Sequence, residues 1–276
     1  MPAFICNTCA TQFAPTDQPP PVCPICKEER QYVPPAGQTW TTHDALTKRF
    51  ANQFKQHEPG LIGIGTVPQF AIGHRALLVR TAAGNFLWDC IGLVDAATVE
   101  IVKALGGLAG IAISHPHYYA AMVQWSRAFD NAPIHLHAAD SQWVMYPDPA
   151  IRFWDGDTKE IAPGLTLIRA GGHFAGATVA HWAQAGDGAG ALLAGDIVFV
   201  VPDRDYVSFM RSYPNLIPLS APAVERIGAA LEPFEFGPIY GAFFDRNIAG
   251  GGKDIVRRSV KRYVRAVTGD GSAELL

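Results

Sequence analysis

The sequence predicts an α/β (α+β) fold, a mixed sheet-and-helix domain behind a small cysteine-bearing segment, and three observations support this. From Trp40 onward, short apolar runs that read as strands alternate with stretches of helical spacing. The chain has 276 residues, 49% hydrophobic and 17% charged, which is enough for one large core and an appendage. Four of its five cysteines fall in two Cys-x-x-Cys pairs near the start, a spacing that in a reducing compartment suggests metal ligation rather than disulfides.

Cys6-Asn7-Thr8-Cys9 and Cys23-Pro24-Ile25-Cys26 are separated by thirteen residues rich in proline and polar side chains. Each pair can present two thiolates from a tight turn, and two such turns complete a closed tetrahedral site of the structural zinc kind. A rubredoxin-like iron site is the alternative, because thiolates suit both metals and Cys-Pro-x-Cys resembles a rubredoxin knuckle. Apolar residues here are few beyond Phe4, Ile5, Phe13, Val22 and Ile25, so metal binding would supply much of the folding free energy of a knuckle spanning 1–36. Val33-Pro34-Pro35-Ala36-Gly37 reads as a stiff exit linker.

The main domain is expected over 37–267. Strands at 76–80 and 85–88 flank Thr81-Ala82-Ala83-Gly84, a hairpin turn, and Asp95 can cap a helix running to about Leu105, ended by Gly106-Gly107. A strand at 108–114, a helix at 119–129 and a strand at 134–137 continue a β-α-β-α-β series. Strands at 165–170, 179–182 and 191–194, a helix at 223–231, a strand at 236–240 and a terminal helix at 254–267 follow. That last helix carries Arg257, Arg258, Lys261, Arg262 and Arg265, read as a solvated face opposite Ile255, Val260, Tyr263 and Val264. Residues 268–276 read as a loose tail.

His115, His117, His173 and Asp196 each stand just past an apolar run, the runs ending at Ile113, Ala170 and Ala194. In an extended segment His115 and His117 point to the same side, with Pro116 stiffening the turn between them. Gly171-Gly172 and Gly176 let the backbone bend to bring His173 in. Three imidazoles with an open position form a catalytic zinc arrangement. His135-Leu136-His137 has the same spacing but reads as a structural pair, and His43, His57, His74 and His181 carry no grouped signal.

Asn85-Phe86-Leu87-Trp88-Asp89-Cys90-Ile91-Gly92, Ser114-His115-Pro116-His117, Gly172-His173-Phe174-Ala175-Gly176-Ala177-Thr178 and Gly195-Asp196, in this order and spacing, resemble the metallo-β-lactamase superfamily over roughly 60–267. The resemblance implies an αββα sandwich with its active site along one edge of two facing sheets. The superfamily signature continues with an Asp and a His at positions where this chain has Tyr119 and Ala120, and a late His is replaced by the stretch Gly241-Ala242-Phe243-Phe244-Asp245. Both departures remove ligands of a second ion. Asp245 is the one obvious replacement.

The function expected on these grounds is metal-dependent hydrolysis of a small ester, lactone or thioester by a hydroxide on a single ion, zinc or iron, at His115, His117 and His173. Asp196 would be the fourth ligand or the acceptor that orients the water, and Asp89 a carboxylate fixing one histidine tautomer. Tyr119 would donate to an oxyanion in place of the missing ion. Tyr118, Phe174, Tyr206, Phe243 and Phe244 would line an apolar pocket. A degenerate binding protein of the same fold, or an iron-dependent redox protein, is the alternative. Cys90, beside Asp89, would be a poor thiolate.

The net charge of −3 gives no electrostatic reason for a nucleic-acid partner. Met1-Pro2-Ala3-Phe4-Ile5-Cys6 lacks a basic apolar leader, and the run 189–201 is interrupted by Asp196 short of a membrane span. A cytoplasmic protein acting on a small molecule is the expectation.

Overall fold

The computed structural model describes residues 1–269 and divides into two compact units, Met1–Asp155 and Gly156–Leu276. Of the expected tail, residues 270–276 lie outside the described residues.

The first unit opens with β1 (Phe4–Cys6), a single turn of helix α1 (Pro24–Lys27) and β2 (Trp40–Thr42). Proline at the start of α1 costs no hydrogen bond, because the first amides of a helix have no partner within it. β1 and β2 pair antiparallel, Phe4 opposite Thr42 and Cys6 opposite Trp40, so hydrogen bonds cross the boundary expected at 36/37. The four knuckle cysteines bury with Phe13 and Ile25, and Trp40, Ile72, Trp143 and Met145 pack on them. The knuckle is thus continuous with the unit that follows it. Thr42 then caps α2 (His43–Leu46), accepting from the Ala45 amide at 3.4 Å.

A seven-stranded sheet fills the rest of this unit. It runs in chain order: β3 (Ala51–Glu58), β4 (Leu61–Val67), β5 (Arg75–Thr81), β6 (Gly84–Trp88), β7 (Gly110–Ala112), β8 (Ile134–His137) and β9 (Ile151–Trp154). The first four form an antiparallel meander and the last three join in parallel. Parallel pairing needs crossovers, supplied by α3 (Ala96–Ala104) and α4 (Met122–Ala128). The predicted hairpin turn forms, with Gly84 at φ +116 and the Thr81 hydroxyl on the Gly84 carbonyl at 2.8 Å. β3, β4 and β9 were not predicted. β3 shows why: it reads ANQFKQHE, an edge strand with no apolar alternation to detect.

The second unit carries a six-stranded sheet built from β10 (Thr158–Ala162), β11 (Leu165–Arg169), β12 (Thr178–Trp182), β13 (Ala191–Gly195), β18 (Ile239–Gly241) and β19 (Asn247–Ile248), paired in that order. Two small ribbons intervene, β14 (Phe199–Val200) with β15 (Val207–Ser208) and β16 (Met210–Ser212) with β17 (Ile217–Pro218). Helices α5 (Ala221–Leu231) and α6 (Gly252–Thr268) pack together, a Cβ at Gly228 falling 3.1 Å from Val260. Ile255, Val256 and Ser259 form the buried side of α6, while Arg257 pairs with Glu232 and with Asp254. Among the described residues no helix is long and apolar enough to cross a membrane.

α3 illustrates how local chemistry sets the elements that position the site. Asp95 stands at extended dihedrals before Ala96 and its carboxylate accepts the Thr98 amide at 2.7 Å. Asp95→Ala should therefore destabilise the protein by about 1 kcal/mol, read as a lower urea midpoint at unchanged slope. Asp95→Asn, which keeps the acceptor, should recover most of that.

Candidate metal centre

In the first unit the site begins where β6 and β7 end. Asp89 follows β6 in the left-handed region, φ +61, with its amide on the Ala112 carbonyl at 2.9 Å. Its carboxylate accepts the Ser114 amide at 2.8 Å. Asp89 thus ties down the backbone immediately before His115. His115 is extended, but residues Pro116–Tyr118 turn into a 3-10 helix with the Tyr118 amide on the His115 carbonyl at 3.0 Å. Convergence of His115 and His117 comes from this turn, not from strand alternation, and their rings lie 5.0 Å apart. Ser114 Oγ is 2.9 Å from His115 Nδ1, which leaves Nε2 to serve as ligand.

In the second unit Gly171 and Gly172 follow β11 at φ +68 and +78. A Cβ at Gly172 would stand 2.9 Å from Leu219 and Ile227, so the bend requires glycine twice over. The next residue, His173, donates Nδ1–H to the Met210 carbonyl at 3.0 Å; a carbonyl only accepts, so this bond fixes the tautomer and leaves Nε2 as the lone pair. Asp196 leaves β13 through Gly195, φ +51, and its own carbonyl accepts the Tyr213 hydroxyl at 2.7 Å. The Tyr213 ring is 5.8 Å from that of His173. Burial first, then the Asp196 charge, pushes the Tyr213 phenol well above its ordinary range.

One ligand atom from each of His115, His117, His173 and Asp196 lies within 4.8 Å of all the others, and all four residues are buried. The donor set fits a divalent ion. A carboxylate buried with three imidazoles is tolerated when a cation neutralises it and takes up the lone pairs, and nitrogen with oxygen donors suits zinc and iron alike.

Cys6, Cys9, Cys23 and Cys26 form a second such group within 4.8 Å. Cys6 and Cys26 sulfurs are 3.6 Å apart, Cys9 and Cys23 sulfurs 3.7 Å. Contact with Cys23 pushes the Cys9 and Cys26 thiols up, whereas hydrogen bonds from Cys23 and then Cys26 hold Cys6 low. Without a cation the cluster can carry little thiolate, so the group fits a metal better than it fits four protons.

The other expected site residues separate. Tyr118 lies against the cluster, its ring 4.5 Å from that of His115. Tyr119, expected to donate to an oxyanion, lines a narrow cleft with Thr11, Gln12, Met145 and Tyr146. Burial, then Asp140, pushes its phenol well up. Phe174 sets its ring 5.2 Å from His173. Phe243 packs on Phe199 at 6.3 Å, and Phe199 on Tyr213 at 4.4 Å. Phe244, part-buried beside it, accepts an Asn247 amide hydrogen on its carbonyl at 2.9 Å. Tyr206 packs against α6, with the Arg262 guanidinium 3.4 Å over its ring. Asp245 is exposed, 3.6 Å from Arg246, and outside the clustered ligands. His137 is structural, accepting the Ala139 amide and packing on Trp154. The Cys90 thiol is pushed up by burial and then by Asp89, which removes it as a nucleophile.

Three neighbours escaped the sequence reading: Tyr213, Phe199 and His74. His74 stacks on Tyr118 at 4.3 Å and its Nε2 donates to the Cys90 carbonyl at 2.5 Å. An isolated histidine before a strand gives no signal of this. Burial lowers its pKa to about 4, so it is neutral in the folded protein at neutral pH. The unfolded chain binds that proton near pH 6.5 and the native chain only near 4, so stability falls as pH drops across this window and levels below it. His74→Gln should lose about 3 kcal/mol less than the parent between pH 6.5 and 4, measured by urea unfolding at each pH. Parallel curves would show that His74 titrates normally.

No protein-family model matches the chain. In solved structures, the chain is similar to a metallo-β-lactamase of Cronobacter sakazakii with a HARLDQ motif, with 19% identity and TM-score 0.52 over 80% of this chain and 95% of that one. The DIM-1 metallo-β-lactamase aligns at TM-score 0.57 and 12% identity over 78% and 97% of the two chains. VMB-1 aligns at TM-score 0.58 and 11% identity over 78% and 98%. These identities establish the fold alone, which is that of the metallo-β-lactamases. At the level of sequence, an uncharacterized protein of Bacillus subtilis (strain 168), YmaE, is 46% identical over 272 residues, 98% of each chain. The chain therefore belongs to the family of Bacillus subtilis YmaE, built on a metallo-β-lactamase fold.

Proposed function

We propose that this protein is a metal-dependent hydrolase of a small ester, lactone or thioester, working with one ion at His115, His117, His173 and Asp196. The observation that supports it is the burial of three imidazoles and a carboxylate with ligand atoms within 4.8 Å of one another. A divalent ion there, zinc or iron, supplies Lewis acidity, polarising an acyl carbonyl and lowering the pKa of water from about 15.7 toward about 7.

The chain's own residues supply the rest. Asp196, held through its carbonyl by Tyr213, orients water and accepts its proton, or completes the ligand set. His173 is kept in one tautomer by Met210, and His115 in one position by Ser114 and Asp89. Tyr118, fixed between the His74 and His115 rings, would donate to the oxyanion that develops on the former carbonyl oxygen of the acyl group. Phe174, Phe199, Tyr213 and Phe243 give the neighbourhood of His173 an apolar character suited to an acyl chain.

Tyr119 and Ala120 offer no ligand to a second ion, and Asp245 is turned to solvent. The protein should then contain about two metal ions per chain, one at each cluster, by elemental analysis. His173→Ala should bring this to about one and abolish turnover. Asp196→Asn should slow kcat by about 10² to 10⁴. Tyr118→Phe should slow it by about 10² to 10³ and Tyr119→Phe should leave it unchanged. A fully metallated protein that turns over no member of an ester, lactone and thioester panel would replace the enzyme by a ligand-binding protein.

A further inference from the structure

We propose that the four-cysteine site is a positioning site for the histidine cluster: the knuckle's metal, acting through Gln12, holds the turn that carries His115 and His117. The proposal rests on reading the histidine cluster as a metal site, and gives the knuckle a function beyond its own folding.

The path runs through one short segment of the first unit. After Cys9 the chain turns at Ala10, a non-glycine residue at φ +66, with the Ala10 amide on the Cys6 carbonyl at 2.9 Å and the Cys6 amide on the Thr11 carbonyl at 3.0 Å. Left-handed alanine costs about 1–2 kcal/mol and persists only where its surroundings impose it. Here the imposing elements are Cys6 and Cys9, whose sulfurs belong to the four-sulfur group, and the Cys9 thiol also reaches Thr11 Oγ1 at 3.2 Å.

Two residues on, Gln12 leaves the knuckle and grips the histidine turn twice. Its amide donates to the Ala120 carbonyl at 3.0 Å, and its side-chain amide to Gln124 Oε1, on α4, at 2.9 Å. Ala120 is three residues after His117 and is itself left-handed, φ +39. A bent alanine in the knuckle thus faces, through one buried glutamine, a bent alanine in the ligand turn. Further contacts hold the same faces together: the Ala14 amide is on the Met145 carbonyl at 3.2 Å, and a Cβ at Gly92 would come within 3.1 Å of the Ala10 methyl. Close packing of this kind transmits a change at one end to the other. If the knuckle loses its metal, nothing fixes Ala10, Gln12 loses its register, and Ala120 can relax from its strained conformation, taking the His117 backbone with it.

The test empties the knuckle and reads the turn. Cys9→Ser with Cys23→Ser removes thiolates while the chain remains otherwise intact, and Gln12→Ala removes the side-chain grip with all four cysteines present. Two readouts are independent of turnover: hydrogen exchange of the amides from 117 to 124, and titration of the histidine cluster with cobalt(II), followed by its visible absorption, after the parent's knuckle has been filled with zinc. We expect exchange to rise about tenfold in each variant, what one buried hydrogen bond is worth, and cobalt affinity to fall by a similar factor. Ala120→Gly should restore protection to the Gln12→Ala protein, because glycine adopts φ +39 without strain and no longer needs the clamp. Unchanged exchange at 117–124 in the metal-depleted knuckle variant, or unchanged cobalt affinity in both variants, overturns the proposal. A loss of coupling in a protein that still hydrolyses esters would leave the hydrolase reading in place, and coupling in a protein with no turnover would leave this one.

Discussion

A carboxylate and three imidazoles buried within 4.8 Å of one another need a cation, and the loops around them are shaped by that need. Ligands delivered from the ends of separate strands must change direction sharply at the point where the strand stops. Each segment does so through a left-handed residue: Asp89 at φ +61 beside the histidine turn, Gly171 and Gly172 before His173, Gly195 before Asp196. Left-handed backbone is costly for any residue with a side chain. The glycines avoid that cost, and at Asp89 it is offset by the hydrogen bond its carboxylate accepts from the Ser114 amide, while a bond from His173 to Met210 fixes that ring. The turns that bring the four side chains together are therefore fixed by the same loops that bear them.

The cysteine cluster answers the same demand differently. Four thiolates close the coordination shell and leave no position for a substrate, and around a divalent ion they keep a net negative charge. Part of that charge falls on Cys6, where the Thr8 amide donates at 3.4 Å and the Gln38 side chain at 3.0 Å. Gln38 also accepts the Cys23 amide, joining the two Cys-x-x-Cys turns through one side chain. Such N–H···S bonds stabilise thiolate, the form that would bind an ion. The histidine cluster, with three neutral donors and one anionic donor, leaves an ion more Lewis-acidic. The four sulfurs suit a closed coordination shell, whereas three imidazoles and a carboxylate suit an open one.

Much of this was legible in the sequence, and the parts that were not share a physical cause. The two Cys-x-x-Cys pairs each come together in the structure, as do the four residues of the histidine cluster, and the signals were paired spacing in one case and position after apolar runs in the other. Helices α3, α5 and α6 were found within a few residues because caps and apolar spacing are local properties. β3 and β4 were missed because an edge strand is half solvated and its neighbour is glycine-rich, so neither shows clean alternation. His74 and Tyr213 were missed because their roles depend on distant partners, the Cys90 carbonyl in one case and the Asp196 carbonyl in the other. The sequence reading gave the oxyanion role to Tyr119 and a lining role to Tyr118, yet two adjacent tyrosines differ only in the direction each takes from a turn whose geometry the sequence does not specify. The reading that an extended His-x-His brings two rings to one side reached the right residues by the wrong route, since Pro116 starts a 3-10 turn.

That turn also explains why the second set of ligands is missing where the superfamily would place it. The side chain at 119 is turned toward Thr11, Gln12 and Met145, and the carbonyl at 120 is taken by the Gln12 amide. The Ala120 carbonyl is thus bonded to a residue of the knuckle. An aspartate at 119 would be buried in that cleft, where burial and Asp140 already push the Tyr119 phenol up, so its charged form would be disfavoured. A histidine at 120 would have to keep the left-handed backbone that Gln12 requires. The cysteine knuckle and the single-ion reading of the histidine cluster are linked by the same few residues of backbone.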